Sequence, residues 1–255
     1  MISIKPSANF SFTILDSVDS TNNYAMAMAH AGLAKHGDAF FAHVQTNGKG
    51  QRGKQWQTGQ GENIAISIVI DPEPLHQQQQ FYLSASIALA CFDFFNKYAG
   101  DETKIKWPND LYWRDRKAGG VLIETVLRGK DWKWAVVGIG ININQVKFSN
   151  ELKNPVSLKQ ITGKSFDAAE LAKELHFLVM KRVTKLTQEP FDILIDLIEE
   201  YNQCIYKLNE KVRLRHNNEI IDVVINNVNA TGQLLATDTL QKQFNFGEVE
   251  FLIGE

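Results

Sequence analysis

Residues 103–144 read TKIKWPNDLYWRDRKAGGVLIETVLRGKDWKWAVVGIGININ. Segments 103–107, 111–113, 121–127 and 132–143 are rich in β-branched and aromatic residues and predict strands. Arg114-Asp115-Arg116 and Arg128-Gly129-Lys130-Asp131 predict tight turns, with Lys117 opening the third strand. Consecutive strands joined by short turns pair antiparallel, which argues against the strand–helix alternation of a doubly wound sheet.

Working outward, 12–15, 39–44 and 64–70 add strands. Helices lie between them. Asp19, Ser20, Thr21 and Asn22 are N-cap candidates for a helix over 24–31, which ends at Gly32. Segment 81–98 is apolar on nearly every face and predicts a central buried helix. Asp167 with Glu170 has the form of a capping box before Leu171, Leu175, Leu178, Val179 and Leu186. Pro190 marks the start of a further helix, with Phe191, Leu194, Ile195, Ile198 and Tyr201 at helical spacing. From about residue 207 short strands alternate with turns such as Asn217-Asn218 and Thr231-Gly232. The expected fold class is α+β, a unit over 1–206 followed by a small all-β unit over 207–255.

The chain of 255 residues is 44% hydrophobic and 22% charged, which excludes a disordered or collagen-like chain. No apolar run approaches the roughly 18 residues of a membrane span, and the N-terminus has no signal-peptide core. Two cysteines make no disulfide framework, so a reducing, cytoplasmic setting is expected. A net charge of −2 gives no reason to expect general nucleic-acid binding. The six histidines are not paired with the cysteines at zinc-ligand spacing, and Cys91 reads as inert packing.

Gly48, Gly50 and Gly53 spell G-x-G-x-x-G, yet no helix can follow before the strand at 64. The better reading is a binding loop. Its glycines expose backbone N–H groups to an anion, Lys49, Arg52 and Lys54 add charge, and Trp56 offers a flat face. Pro108 places Asn109 and Asp110 at a turn or strand edge. Lys117 stands before Ala118-Gly119-Gly120, too small to cover it, and so points to a cleft; a hairpin-end lysine reaching for water is the bland alternative. Gly138, Gly140, Asn142 and Asn144 interrupt a core-like strand, which marks a close approach by another group and asparagines in need of partners.

These segments, in this order, resemble the biotin protein ligases, also called biotin–[acetyl-CoA-carboxylase] ligases. The resemblance rests on Asp19-Ser20-Thr21-Asn22, on Gln45 with the run Gly48 to Trp56, on Lys106-Trp107-Pro108-Asn109-Asp110, on Arg116 to Gly120, and on Gly140-Ile141-Asn142. It implies a mixed sheet flanked by helices, similar to the class II aminoacyl-tRNA synthetase core, followed by an SH3-like barrel. It also implies an AMP-forming ligase. Biotin and ATP with Mg²⁺ would give biotinyl-5′-adenylate, and a lysine of a biotin carboxyl carrier protein would then take the biotin. The resemblance assigns Ser20, Thr21, Asn22, Gln45, Gly48, Lys49, Gly50, Gln51, Lys117 and Gly120 to biotin. It assigns Lys49, Arg52, Lys54, Trp56, Asn109 and Asn142 to the nucleotide. Lys117, Arg52 and Asp110 carry the chemistry, with Asp110 the weaker candidate, for Mg²⁺ or for the incoming amine.

Many family members have arginine where this chain has Lys49 and Gln51, so the grip on phosphate is weaker here. A lipoate ligase of the same architecture would not need the polar groups Ser20, Thr21 and Gln45. A DNA-binding repressor form would need more than the 18 residues before Asp19, so no DNA-binding function is expected. The resemblance leaves a homodimer open.

Overall fold

The computed structural model describes residues 10–129, 131–188 and 193–253. Seven strands form the main sheet: β1 Phe12–Val18, β2 Ala39–Gln45, β3 Ile64–Ile70, β4 Thr103–Lys106, β5 Asp110–Trp113, β6 Arg116–Arg128 and β7 Asp131–Ile141. Their order is β1-β2-β3-β7-β6-β5-β4. Only β1 and β2 run parallel, because α1 (Thr21–His30) crosses over between them. The remaining neighbours are antiparallel, and for β4 to β7 the short turns of 103–144 predict it.

Strand β3, IAISIVI, is buried at all seven positions because both faces of the sheet are covered. One face meets α1, whose Ala25 and Ala29 pack on Phe40, Val69, Val126 and Val136. The other face carries α2 (Gln80–Ala99) and α4 (Ala168–Gln188). Helix α2 buries Leu83, Ile87, Leu89, Phe94 and Phe95, as its all-round apolar sequence predicts. On α4, Arg182 reaches Asp93 of α2 at 2.6 Å and Glu200 of α5 (Ile193–Gln203) at 2.7 Å, tying three helices together.

The C-terminal strands β8 Lys211–His216, β9 Glu219–Val228, β10 Leu234–Thr237, β11 Gln241–Phe244 and β12 Val249–Phe251 form a second, antiparallel sheet. Its order, β11-β10-β9-β8-β12, suits the expected small SH3-like unit. Asn217 and Asn218 take positive φ at the β8–β9 turn. The two sheets share one apolar core, and Trp107 Nε1 donates to Gly232 O across the join at 2.9 Å. Residues 204–206 add main-chain bonds to the free edge of β4 at Ile105.

Several expectations change. Strand β7 stops at Ile141, so Asn142 and Asn144 lie past its end. Asp167 accepts from the Ala169 and Glu170 amides, but Glu170 turns to Lys173 at 2.7 Å rather than closing a capping box. The capping box occurs instead at Ser157 and Gln160, on the short helix α3 (Leu158–Thr162). Arg128 pairs with Asp131 at the β6–β7 turn; Lys130, Pro190 and Phe191 lie outside the described residues. No helix among the described residues is long and apolar enough to cross a membrane.

Candidate active site

Register places Gly140 of β7 between Ala65 of β3 and Gly120 of β6, and Gly138 between Ser67 and Leu122. Residues opposite one another share a face, so these rows make a shallow trench on the α1 side of the sheet. At its two β7 glycines no Cβ fits. At Gly138 a Cβ would meet the Asn22 amide, and at Gly140 the Trp56 ring, both inside contact distance.

A polar cluster closes one end. Gln45 Oε1 accepts from Thr21 N at 2.8 Å and Thr21 Oγ1 at 3.1 Å. The Ser67 hydroxyl lies 2.8 Å from Thr21 Oγ1 and 2.5 Å from Asn22 Oδ1, with one proton to serve both. Asn22 Nδ2 donates to Glu124 at 2.9 Å, and Lys49 Nζ donates to the other carboxylate oxygen at 3.2 Å. Ser20 holds the N-cap position of α1, and its buried side chain makes no cap hydrogen bond. Ser67 is fully buried, and neither it nor Glu124 was legible as a site residue. A serine amid IAISIVI is the signal, since a buried hydroxyl needs a partner.

The other end carries charge. Lys117 Nζ bonds Asp110 Oδ1 at 2.6 Å. Both lie over Gly120, where a Cβ would stand 3.1 Å from Asp110 Oδ1 and 3.5 Å from Lys117 Nζ. The lysine therefore folds back over bare backbone beside the trench. Leu122 lies five positions along β6 from Lys117, about 17 Å of strand.

Asn109 and Asn142 are spent on main chain. Asn109 Nδ2 donates to Val121 O, and Asn142 Nδ2 to Val156 O at 3.1 Å and Lys117 O at 3.4 Å. They hold the segments that present Asp110 and Lys117. As a metal ligand Asp110 does not fit, because its carboxylate is already held by one ammonium and stands opposite a second lysine, Lys106. Among the described residues no three His, Cys, Asp or Glu side chains gather.

The glycine loop folds as a small hairpin, with Trp56 N donating to Gly48 O at 2.9 Å and Gly50 N to Lys54 O at 2.7 Å. Gln51 Nε2 donates to Val121 O at 3.2 Å. Trp56 lays its ring over Gly140, and its Nε1 is buried without an acceptor. Arg52 is not brought to Lys117. It takes a positive φ of 54°, and its guanidinium lies 5.1 Å from the Phe246 ring, in the space a Cβ on Gly247 would need. Beside the loop a cleft of about 500 Å³ opens between α2 and the second sheet, lined by Gln51, Phe81, Asn109, Val121, Gln233 and Phe246.

Residues 14–142, half of the chain, match the biotin/lipoate A/B protein ligase family. The chain belongs to this family. Its relatives include the bifunctional ligase/repressor BirA of Escherichia coli, 28% identical over 96% of this chain and 75% of that protein. The bifunctional ligase/repressor BirA of Bacillus spizizenii is 31% identical over 73% of this chain, which spans 58% of that relative. The biotin–[acetyl-CoA-carboxylase] ligase of Paracoccus denitrificans is 33% identical over 62% of this chain and 66% of its own length. Among solved structures, the biotin protein ligase of Aquifex aeolicus in complex with biotin and ATP aligns with a TM-score of 0.79 and 25% identity. That alignment covers 96% of this chain and 99% of the other. The trench, its polar end and its charged end all fall within the matched residues.

Proposed function

We propose that the chain joins biotin to ATP as biotinyl-5′-adenylate and passes it to a lysine of a biotin carboxyl carrier domain. The observation that carries this is the trench with an amide-and-hydroxyl end and an ammonium end. A ureido ring offers one acceptor and two donors, which Ser20, Thr21, Gln45, Asn22 and Ser67 can answer. Its fused rings and aliphatic chain would lie on the glycine floor, beneath the Trp56 ring.

The carboxylate then arrives beside Lys117. Attack of a carboxylate on the α-phosphate brings two anions together, and the Lys117 ammonium offsets that repulsion as charge develops. Lys49, Lys54 and Arg52 stand on the loop that would close over the phosphates, with Arg52 released from Phe246. MgATP enters as substrate, its cation held by phosphate oxygens and water. Asp110, opposite Gly120, faces the path of the incoming amine. The division into a catalytic unit, 1–206, and a small unit, 207–255, belongs to the same proposal.

Pyrophosphate exchange into ATP tests the reading. Exchange should depend on biotin and not on lipoate. Exchange driven by lipoate alone would assign the trench to the family's other substrate.

A further inference from the structure

Lys106 ends β4 with no ion pair or hydrogen bond among the described residues. Its Nζ lies 5.1 Å from the Tyr112 ring centroid and 5.0 Å from that of Phe251. An ammonium caged by two ring faces keeps its charge through their quadrupoles. Burial pushes its pKa down, and Asp110 pulls it back up. An unpaired, half-buried cation at this point calls for a reason, because a charge leaves water only at a cost.

The β4–β5 register sets Lys106 directly opposite Asp110, the partner of Lys117. Every packed element presents a group to it. Strand β5 gives Asp110 and Tyr112, β6 gives Lys117, the glycine loop gives Lys54, and β12 gives Glu250 and Phe251. Glu250 is itself engaged by Arg215 at 2.7 Å and Lys153 at 3.5 Å.

We propose that Lys106 supplies the charge that lets the acceptor lysine attack as a free amine. The inference rests on the ligase reading above. Once the acyl-adenylate has formed, its phosphate and Asp110 bring two negative charges to the mouth. Lys117, Lys106 and Lys54 face them. Losing Lys106 takes one positive charge from the mouth, and the incoming nucleophile is then held more firmly as an ammonium, which has no lone pair. An added charge within about 4–6 Å shifts a pKa by roughly 1–3 units.

The ammonium loses one proton to water on entry. Its nitrogen lone pair forms the C–N bond, the bond from the acyl carbon to the phosphate oxygen breaks, and AMP leaves with that electron pair. The nitrogen's second proton passes to water as the amide forms.

Single-turnover transfer from preformed biotinyl-adenylate to a purified carrier domain tests this, across about pH 6 to 10. With Lys106→Met the acid limb of the rate profile should move up by about one unit, leaving transfer about 10-fold slower at neutral pH and converging on wild type in alkali. Lys106→Arg should restore transfer to within about 3-fold, because it restores the charge. Hydroxylamine, uncharged at neutral pH, should be acylated at the same rate by Lys106→Met and wild type. A deficit that ignores pH, an unshifted limb, hydroxylamine slowed as much as the carrier, or no rescue by arginine would overturn the proposal. Should Lys106→Met not fold, Lys106→Gln with the same two nucleophiles decides. If wild type transfers biotin to neither nucleophile, the ligase reading falls instead.

Discussion

Lys117 and Asp110 meet at 2.6 Å over a glycine, and that pair answers to substitution at single atoms. Lys117→Ala removes the ammonium that the proposed reaction sets beside the carboxylate–phosphate encounter. Adenylate formation should fall about 100- to 1,000-fold, with a normal melting curve and a smaller loss in biotin affinity. Near wild-type exchange would show that the charge acts elsewhere. Gln51 poses the opposite question. Its amide bonds Val121 O, a neutral contact on a loop that the resemblance sets against phosphate. A hydrogen bond to a charged group is worth roughly 1.5–3 kcal/mol against about 1 for a neutral pair. Gln51→Arg should therefore slow adenylate release about 10-fold in stopped-flow dissociation, with biotin affinity little changed. An unchanged or faster release would show that this position does not grip the phosphate.

Strand β7 and helix α1 meet at Gly138, where the Asn22 amide fills the space of the missing side chain. Gly138→Ala would push Asn22 off Ser67 and Glu124, leaving buried polar groups unpaired at about 1–3 kcal/mol. Biotin should bind about 10-fold more weakly or worse by calorimetry; unchanged affinity would remove the trench from the binding site. Elements of this kind were legible where their pattern is strong. The run IAISIVI and the apolar 81–98 segment could hardly be misread, since both are apolar throughout and their lengths separate a short buried strand from a long buried helix. The glycines of β7 signalled a close approach, but not by what, because Asn22 lies 116 positions away and only folding brings it there. Helix α3 was missed although Ser157 and Gln160 spell its cap; five residues are too few to show a period. The resemblance assigns Asn109 and Asn142 to the nucleotide, and a sequence does not show that their amides also hold main chain. It sets Arg52 with Lys117, and the ring of Phe246, nearly 200 residues on, is what draws the guanidinium aside.

A buried histidine, His176, and a half-buried one, His36, tie the stability of the whole molecule to pH. His176 Nε2 lies 2.8 Å from Gly37 O, and His36 Nδ1 accepts from Asp71 N at 3.1 Å. Burial lowers the pKa of both. A folded pKa below the unfolded value means that the unfolded chain takes up protons first, so stability falls as pH drops below the ordinary histidine value of about 6.5. The melting temperature should decline from about pH 6.5 to 5, and His36→Asn with His176→Gln, which copy the two ring nitrogens, should flatten that decline. An equal decline in the double variant would place the titration elsewhere. At the same scale, the antiparallel sheet and the small C-terminal sheet followed from turn spacing, whereas their shared core did not, because a sequence shows each apolar face but not which face it meets. That shared core brings Phe251 onto Lys106 and Phe246 onto Arg52, so the small sheet borders the chemistry. The central claim is that this chemistry moves biotin onto a carrier lysine. Intact-mass measurement of a carrier domain incubated with the protein, biotin and MgATP tests it most directly. The account predicts a gain of one biotin less one water, dependent on ATP, absent when the carrier lysine is arginine and nearly absent with Lys117→Ala. A carrier left at its starting mass by wild type, while an established biotin ligase modifies it in parallel, would contradict the account.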